Sequence, residues 1–142
     1  MMSSEEDDKK ISEEEEYKKV ARAEDYGDHK AKTKLAFFLL TGKGGAEVDE
    51  DRAFALLKER VKDRDTEAMW MLGLCYEYGI GCEEDFERAM SLYEQSRDGG
   101  NAAGKLLREM IERGECVGAI KVKGLYFLFD MKVYETDENE CR

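Results

Sequence analysis

The residues that could carry chemistry are few. The run TGKGGAEVDEDRA, Thr41–Ala53, sets Lys43 among glycines, which is the composition of a phosphate-cradling loop. Such a loop requires Gly-x-x-x-x-Gly-Lys-Ser/Thr after a strand, and here Lys43 is followed by Gly44. The preceding KLAFFLLT has the period of a helix, so the run reads as a turn. The four cysteines, Cys75, Cys82, Cys116 and Cys141, include no Cys-x-x-Cys pair, and His29 is the only histidine. A four-ligand zinc site would have to gather all four thiols from dispersed positions, so no metal is expected. Cys75 and Cys82 could be bridged only if the fold brings them together. Without a secretory signal, reduced thiols are the expectation. His29, beside Lys30, has no sequence partner for nucleophilic catalysis and reads as a surface residue. Carboxylate pairs arise everywhere among 34 acids, and none is singled out for acid–base work. Ser3, Ser4 and Ser12 each have an acid three positions later, the local chemistry favoured by acid-directed kinases.

These residues must be positioned by a chain of 142 residues, about one domain, with 40% charged residues and no proline. That combination suits helices. The net charge of −11 is concentrated at the ends: −6 in Met1–Glu16 and −3 in Glu135–Arg142, which leaves −2 for Tyr17–Tyr134. Residues 1–11 and 135–142 are expected to be acidic, solvated tails around a domain at 12–134. Acidic ends argue against nucleic acid and against an anionic membrane surface, both of which select basic patches. The most apolar stretch, GLYFLFDMKVY at 124–134, is too short and too charged to span a bilayer. No signal peptide is visible, and the expected location is the cytoplasm.

The organising signal is an internal repeat. AKTKLAFFLLTGKGG from Ala31 aligns with AMWMLGLCYEYGIGC from Ala68 at an offset of 37 residues. Ala31, Leu35, Ala36, Gly42 and Gly44 fall on Ala68, Leu72, Gly73, Gly79 and Gly81. A weaker third copy starts at Ala103 and keeps Leu107, Ile111 and Gly114 in register. The second half repeats too: Arg52-Ala53, Arg88-Ala89 and Lys123-Gly124 align, as do Leu56-Leu57, Leu92-Tyr93 and Phe127-Leu128. Each unit predicts helix, glycine-bearing turn, helix. Gly42, Gly79 and Gly114 stand where a helix needs a left-handed C-cap. Asp49 or Asp51, and Asp85, stand where the second helix needs an N-cap or an acid in its first turn. Ala36 or Gly73 lets the partner helix approach closely. Repeats are expected at about 31–67, 68–102 and 103–134. Segment 12–27, with Tyr17, Val20, Ala21 and Gly27, reads as the tail of a preceding second helix that caps the first unit.

The pattern Ala-x-x-x-Leu-Gly-x-x-Tyr-x-x-Gly-x-Gly-x-x-x-Asp-x-x-Arg-Ala-x-x-Leu-Tyr, from Ala68 to Tyr93, resembles a Sel1-like repeat, a relative of the tetratricopeptide repeat. Departures are Ala36 for the usual glycine, Leu39 for the usual tyrosine, a longer loop at 44–49, and a third turn that lacks the usual acid. The resemblance implies an all-α fold: a right-handed α/α superhelix, or solenoid, of about three repeats with an N-terminal capping helix. It also implies an adaptor or scaffold role rather than an enzyme, with no cofactor. Penicillin-directed chemistry, discussed for some bacterial proteins resembling this family, would want Ser-x-x-Lys, which is missing here.

In such a stack the first helices line the inner surface. By analogy with tetratricopeptide groups, steps 3, 7, 10 and 11 of each first helix face the concave side. These are Thr33, Phe37, Leu40 and Thr41; Trp70, Leu74, Glu77 and Tyr78; Lys105, Glu109, Glu112 and Arg113. Phe37, Leu40, Trp70, Leu74, Glu77, Tyr78, Lys105, Glu109 and Arg113 are the candidate partner-binding residues. A protein ligand, a peptide or helix, would anchor on the aromatic and aliphatic groups and pair its acids with Lys105 and Arg113. The competing reading packs Trp70 and Phe37 against the capping helix or the C-terminal segment. Segment 119–134 could be a helix or a strand, could fold over the groove, or could mediate a homodimer, in which case the chain would be a structural, self-associating subunit.

Overall fold

The computed structural model describes the backbone of residues 4–113 and the side chains of residues 12–113. The third turn, segment 119–134 and the expected tail at 135–142 lie outside those residues. Helices α1 (Ser4–Asp25), α2 (Ala31–Thr41), α3 (Glu50–Lys62), α4 (Thr66–Tyr78), α5 (Phe86–Asp98) and α6 (Ala102–Glu112) follow one another along the chain. No strand occurs among the described residues. Each helix packs on the next, and α4 also touches α2 and α6. Two layers result, with α2, α4 and α6 in one and α1, α3 and α5 in the other. The chain is an all-α, right-handed α/α solenoid with an N-terminal capping helix.

The repeat equivalences hold in space. Leu35, Leu72 and Leu107 are all buried, as are the second-helix pairs Ala53–Ala89 and Leu57–Tyr93. Gly42 and Gly79 are left-handed C-caps whose N–H groups donate to Phe38 O and Cys75 O. Asp49 and Asp85 are the N-caps of α3 and α5, each accepting from the backbone N–H three residues on, at 3.1 Å. Asp51, the alternative cap, sits in the first turn of α3 instead. The run Thr41–Ala53 is thus a turn between paired helices. At Gly73 a Cβ would come within 2.5 Å of the Tyr93 ring, so the missing side chain lets α5 seat against α4.

The repeat also extends backwards. A Cβ on Gly44 would meet Glu13 O at 2.7 Å and Tyr17 Cβ at 2.8 Å. One on Gly81 would meet Glu50 O at 2.7 Å and Phe54 Cβ at 2.9 Å. Glu13 and Tyr17 therefore stand to the first repeat as Glu50 and Phe54 stand to the second. Helix α1 is the second helix of a unit before Ala31, as its sequence suggested. It begins at Ser4, however, inside the stretch 1–11 read as a tail. The charge run misled there: Glu and Lys are strong helix formers, no glycine or proline interrupts 4–25, and acids suit a helix N-terminus.

Candidate partner-binding surface

The candidate residues divide by where the repeat puts them. Thr33, at step 3 of α2, is buried, and its hydroxyl donates to Asp65 Oδ2 at 2.7 Å. Asp65 is the N-cap of α4, so step 3 faces the seam with the next first helix. Trp70 occupies the same step of α4 and is 0% exposed. Lys105, the third equivalent, is exposed on α6, the last described helix.

Phe37, Leu74 and Tyr78 are buried, and Leu40 packs against the same core cluster, which also holds Trp70. The structure thus brings the five apolar candidates together, as constituents of the interior. The sequence placed them on an open concave face. The difference is physical: these side chains are large and apolar, and they are withdrawn from water into the core cluster rather than left wetted. Phe37 is flanked by cations, with Lys34 Nζ 5.8 Å and Lys43 Nζ 5.7 Å from its ring centre. Thr41 is turned onto its own helix and donates to Phe37 O at 2.9 Å.

Glu77 is placed differently from the expectation for step 10. It is buried, and the Tyr93 hydroxyl of α5 donates to its Oε1 at 3.1 Å. Gly73, one turn earlier, faces the same tyrosine, so this row of α4 points into the pair interface. Burial, and next the Glu77 charge, hold the Tyr93 phenol well above its usual range. Glu109, Glu112 and Arg113 continue the polar end of α6, where Arg108 Nη1 pairs with Glu112 at 3.1 Å. Arg108 Nε also reaches Glu94 of α5 at 3.1 Å.

Sequence reasoning passed over the residues that join the units. Asp28, Asp65 and Asn101 each accept from the backbone N–H two residues on, at 2.9–3.0 Å, at the start of α2, α4 and α6. Asp65 also accepts from Arg60 of α3, and Asn101 Nδ2 donates to Glu67 Oε1 at 2.6 Å. Their signal was legible: an Asp or Asn just before each first helix, at spacings of 37 and 36 residues.

Reactive chemistry finds little support in this arrangement. Burial pushes the Cys75 thiol up to about 12, and burial also raises Cys82, whose Sγ lies 3.4 Å from Cys75 O. Thiols held protonated are poor nucleophiles and poor soft-metal ligands. Among the described residues no group of three or more His, Cys, Asp or Glu is gathered to hold a metal ion. His29 is exposed. No helix among the described residues is long and apolar enough to cross a membrane.

Residues 29–59 and 66–101 match the model of the Sel1 repeat, the same two units that the left-handed caps and aspartate N-caps delimit. The chain belongs to the Sel1 repeat family. Its fold is shared by a Sel1 repeat protein from Oxalobacter formigenes, with a TM-score of 0.61 and 24% identity over 86% of this chain and 49% of that one. It is also shared by a protective antigen of uropathogenic Escherichia coli with the same repeat fold, with a TM-score of 0.59 and 23% identity over 87% of this chain and 26% of that one. The chain thus spans about half and about a quarter of these two proteins. No curated protein matches it. Sel1 repeats generally mediate protein–protein interaction, typically as non-catalytic scaffolds.

Proposed function

We propose that this Sel1 chain is a non-catalytic interaction module that takes a partner peptide or helix along the face formed by α2, α4 and α6. The observation that supports this reading is the chemistry of that layer. Phe37, Leu40, Trp70, Leu74 and Tyr78 form an apolar stretch on α2 and α4, and the charges Lys105, Glu109 and Arg113 follow on α6. An aliphatic and aromatic strip beside a charged end matches a ligand with one apolar side and an acidic terminus. Because the strip is buried in the isolated chain, engagement requires it to be opened, and Leu40 and Lys105 at its accessible margins report on binding best.

The test is capture of native partners by the full-length chain carrying Leu40→Glu or Lys105→Glu. Each is expected to weaken capture about tenfold or more, equivalent to about 1.4 kcal/mol. Glu87→Lys, on the exposed start of α5, is expected to leave it unchanged. Equal capture by all three variants would remove this face from consideration.

A further inference from the structure

The two seams between neighbouring second helices are built alike and charged differently. Glu13 and Tyr17 of α1 hold the places that Glu50 and Phe54 hold on α3. On that register Ala21 corresponds to Lys58, Glu24 to Val61 and Arg52 to Arg88. In the first seam Arg52 Nη2 reaches across to Glu24 Oε2 at 3.4 Å. In the second seam the arginine is kept, Val61 stands where its carboxylate partner was, and Lys58 is added. A cation is gained and an acid is lost at matching places.

The second seam is also hollow. A cleft of about 400 Å³ opens between α3, the end of α4 and the start of α5. Phe54 and Tyr76 line it and meet edge to face, with ring centres 5.5 Å apart. Above them stand the two cations. Lys58 Nζ lies 5.5 Å from the centre of the Phe54 ring, and it makes no ion pair among the described residues. The Arg88 guanidinium lies 5.5 Å from the centre of the Tyr76 ring, and its Nη1 donates to the Tyr76 hydroxyl at 3.4 Å. Asp85, the cap of α5, takes Arg88 Nε at 3.3 Å. Glu83 and Glu84 line the turn end of the same cleft and are exposed. Lys58 and Arg88 are exposed too, so packing does not account for them.

We propose that this cleft on the outer layer is a second docking site, for a partner peptide that carries a glutamate or aspartate one helical turn from a basic residue. The peptide carboxylate takes, between Lys58 and Arg88, the place that Glu24 holds against Arg52 in the first seam. Its basic residue faces Glu83 and Glu84, because the cleft is positive along α3 and α5 and negative at the turn, and such a field selects a ligand of opposite polarity. An apolar residue between the two charges rests on the edge-to-face pair of Phe54 and Tyr76. The site lies on the second helices and does not rest on the function proposed for the α2–α4–α6 face.

The probe is a fluorescein-labelled peptide with blocked ends, carrying one glutamate and one lysine a helical turn apart on a leucine background. Fluorescence anisotropy with the full-length chain is expected to show binding. Glutamine in place of the peptide's glutamate is expected to weaken it about tenfold or more. Lys58→Glu and Arg88→Glu are each expected to do the same with the helical dichroism unchanged, and Lys62→Glu, exposed outside the cleft, to leave it within about twofold. Amide shifts of the wild type are expected to move at Lys58, Cys82 and Arg88. No binding at millimolar peptide overturns the proposal, as does equal binding of the glutamine peptide. Shifts centred on Lys105 instead of the cleft overturn it too, and would assign the peptide to the inner face. Partner capture by the Leu40 and Lys105 variants is a separate readout, so the two sites can fail independently.

Discussion

The two helices of one repeat are built to different rules. On α3 only Ala53, Leu56 and Leu57 are buried, and on α5 only Ala89, Leu92, Tyr93 and Ser96, each set forming one stripe. On α4 nothing between Ala68 and Tyr78 is exposed, and α2 buries seven of its eleven residues. The outer helices are amphipathic and hold the stack from outside. Among the inner ones, α4 is buried around its whole circumference from Ala68 to Tyr78, as a helix apolar on every side is. Stability is therefore concentrated in the inner layer, and the outer layer's solvent face is free to vary.

Four measurements would break or sharpen that contrast. The largest effect is expected from Trp70→Ala, which leaves a cavity in the inner layer and should cost about 3–5 kcal/mol in urea unfolding. Phe86→Ala, at a position 56% exposed on α5, should stay within about 0.5 kcal/mol. A Trp70 loss near the Phe86 value would end the distinction. Next come the turns. Gly81→Ala meets left-handed strain at φ 71° and a backbone oxygen 2.7 Å away, and should cost about 2–3 kcal/mol in thermal melts. Gly45→Ala has φ 76° but open space around it, and should cost only about 1 kcal/mol. Equal losses would mean that the seat on the preceding helix contributes nothing.

A third effect is alkaline and tests the joint between the layers. Cys75 and Tyr93 release their protons at higher pH in the folded chain than in the unfolded one, because burial disfavours their anions. The stability they confer is fully present below the ordinary thiol range near 9.0 and is lost as pH climbs towards 12. Melting temperature should fall across that window, and Cys75→Ala should flatten the fall. A melting temperature level from pH 9 to 11 would deny the burial of both groups. The smallest effect concerns Arg64, the one described non-glycine residue with positive φ, at 61°. Gly27 and Gly100 hold the equivalent places in the neighbouring turns, at 85° and 86°. Arg64→Gly should stabilise by about 0.5–1 kcal/mol, measured by chemical unfolding.

How much of this could be read from the sequence depends on whether the cause was local. The caps at Gly42, Gly79, Asp49 and Asp85 were legible because left-handed backbone and orphan amides select residue types directly. The stripes of α3 and α5 were legible because one buried face leaves a period. The orientation of Glu77 was not, since an acid at step 10 of a helix looks solvated until a tyrosine sixteen residues later is found to donate to it. Phe37, Trp70, Leu74 and Tyr78 share one buried cluster, and that burial was not legible: a helix apolar on every side has no period to say which side is open. Thr33 and Asp65 were missed as a pair because their bond spans 32 residues and neither is unusual alone. The residues proposed to meet a partner along the α2–α4–α6 face remain those of the inner layer, with its margins at Leu40 and Lys105 as the informative positions.

Gly44 resting on Glu13 and Tyr17, and Gly81 resting on Glu50 and Phe54, make the units interchangeable parts. Each turn is keyed to the same two places on whatever helix precedes it. Excising residues 31–67 in one piece would bring Gly81 down onto Glu13 and Tyr17, a socket already shaped for it, and the chain could grow or shrink by whole units without inventing a new joint.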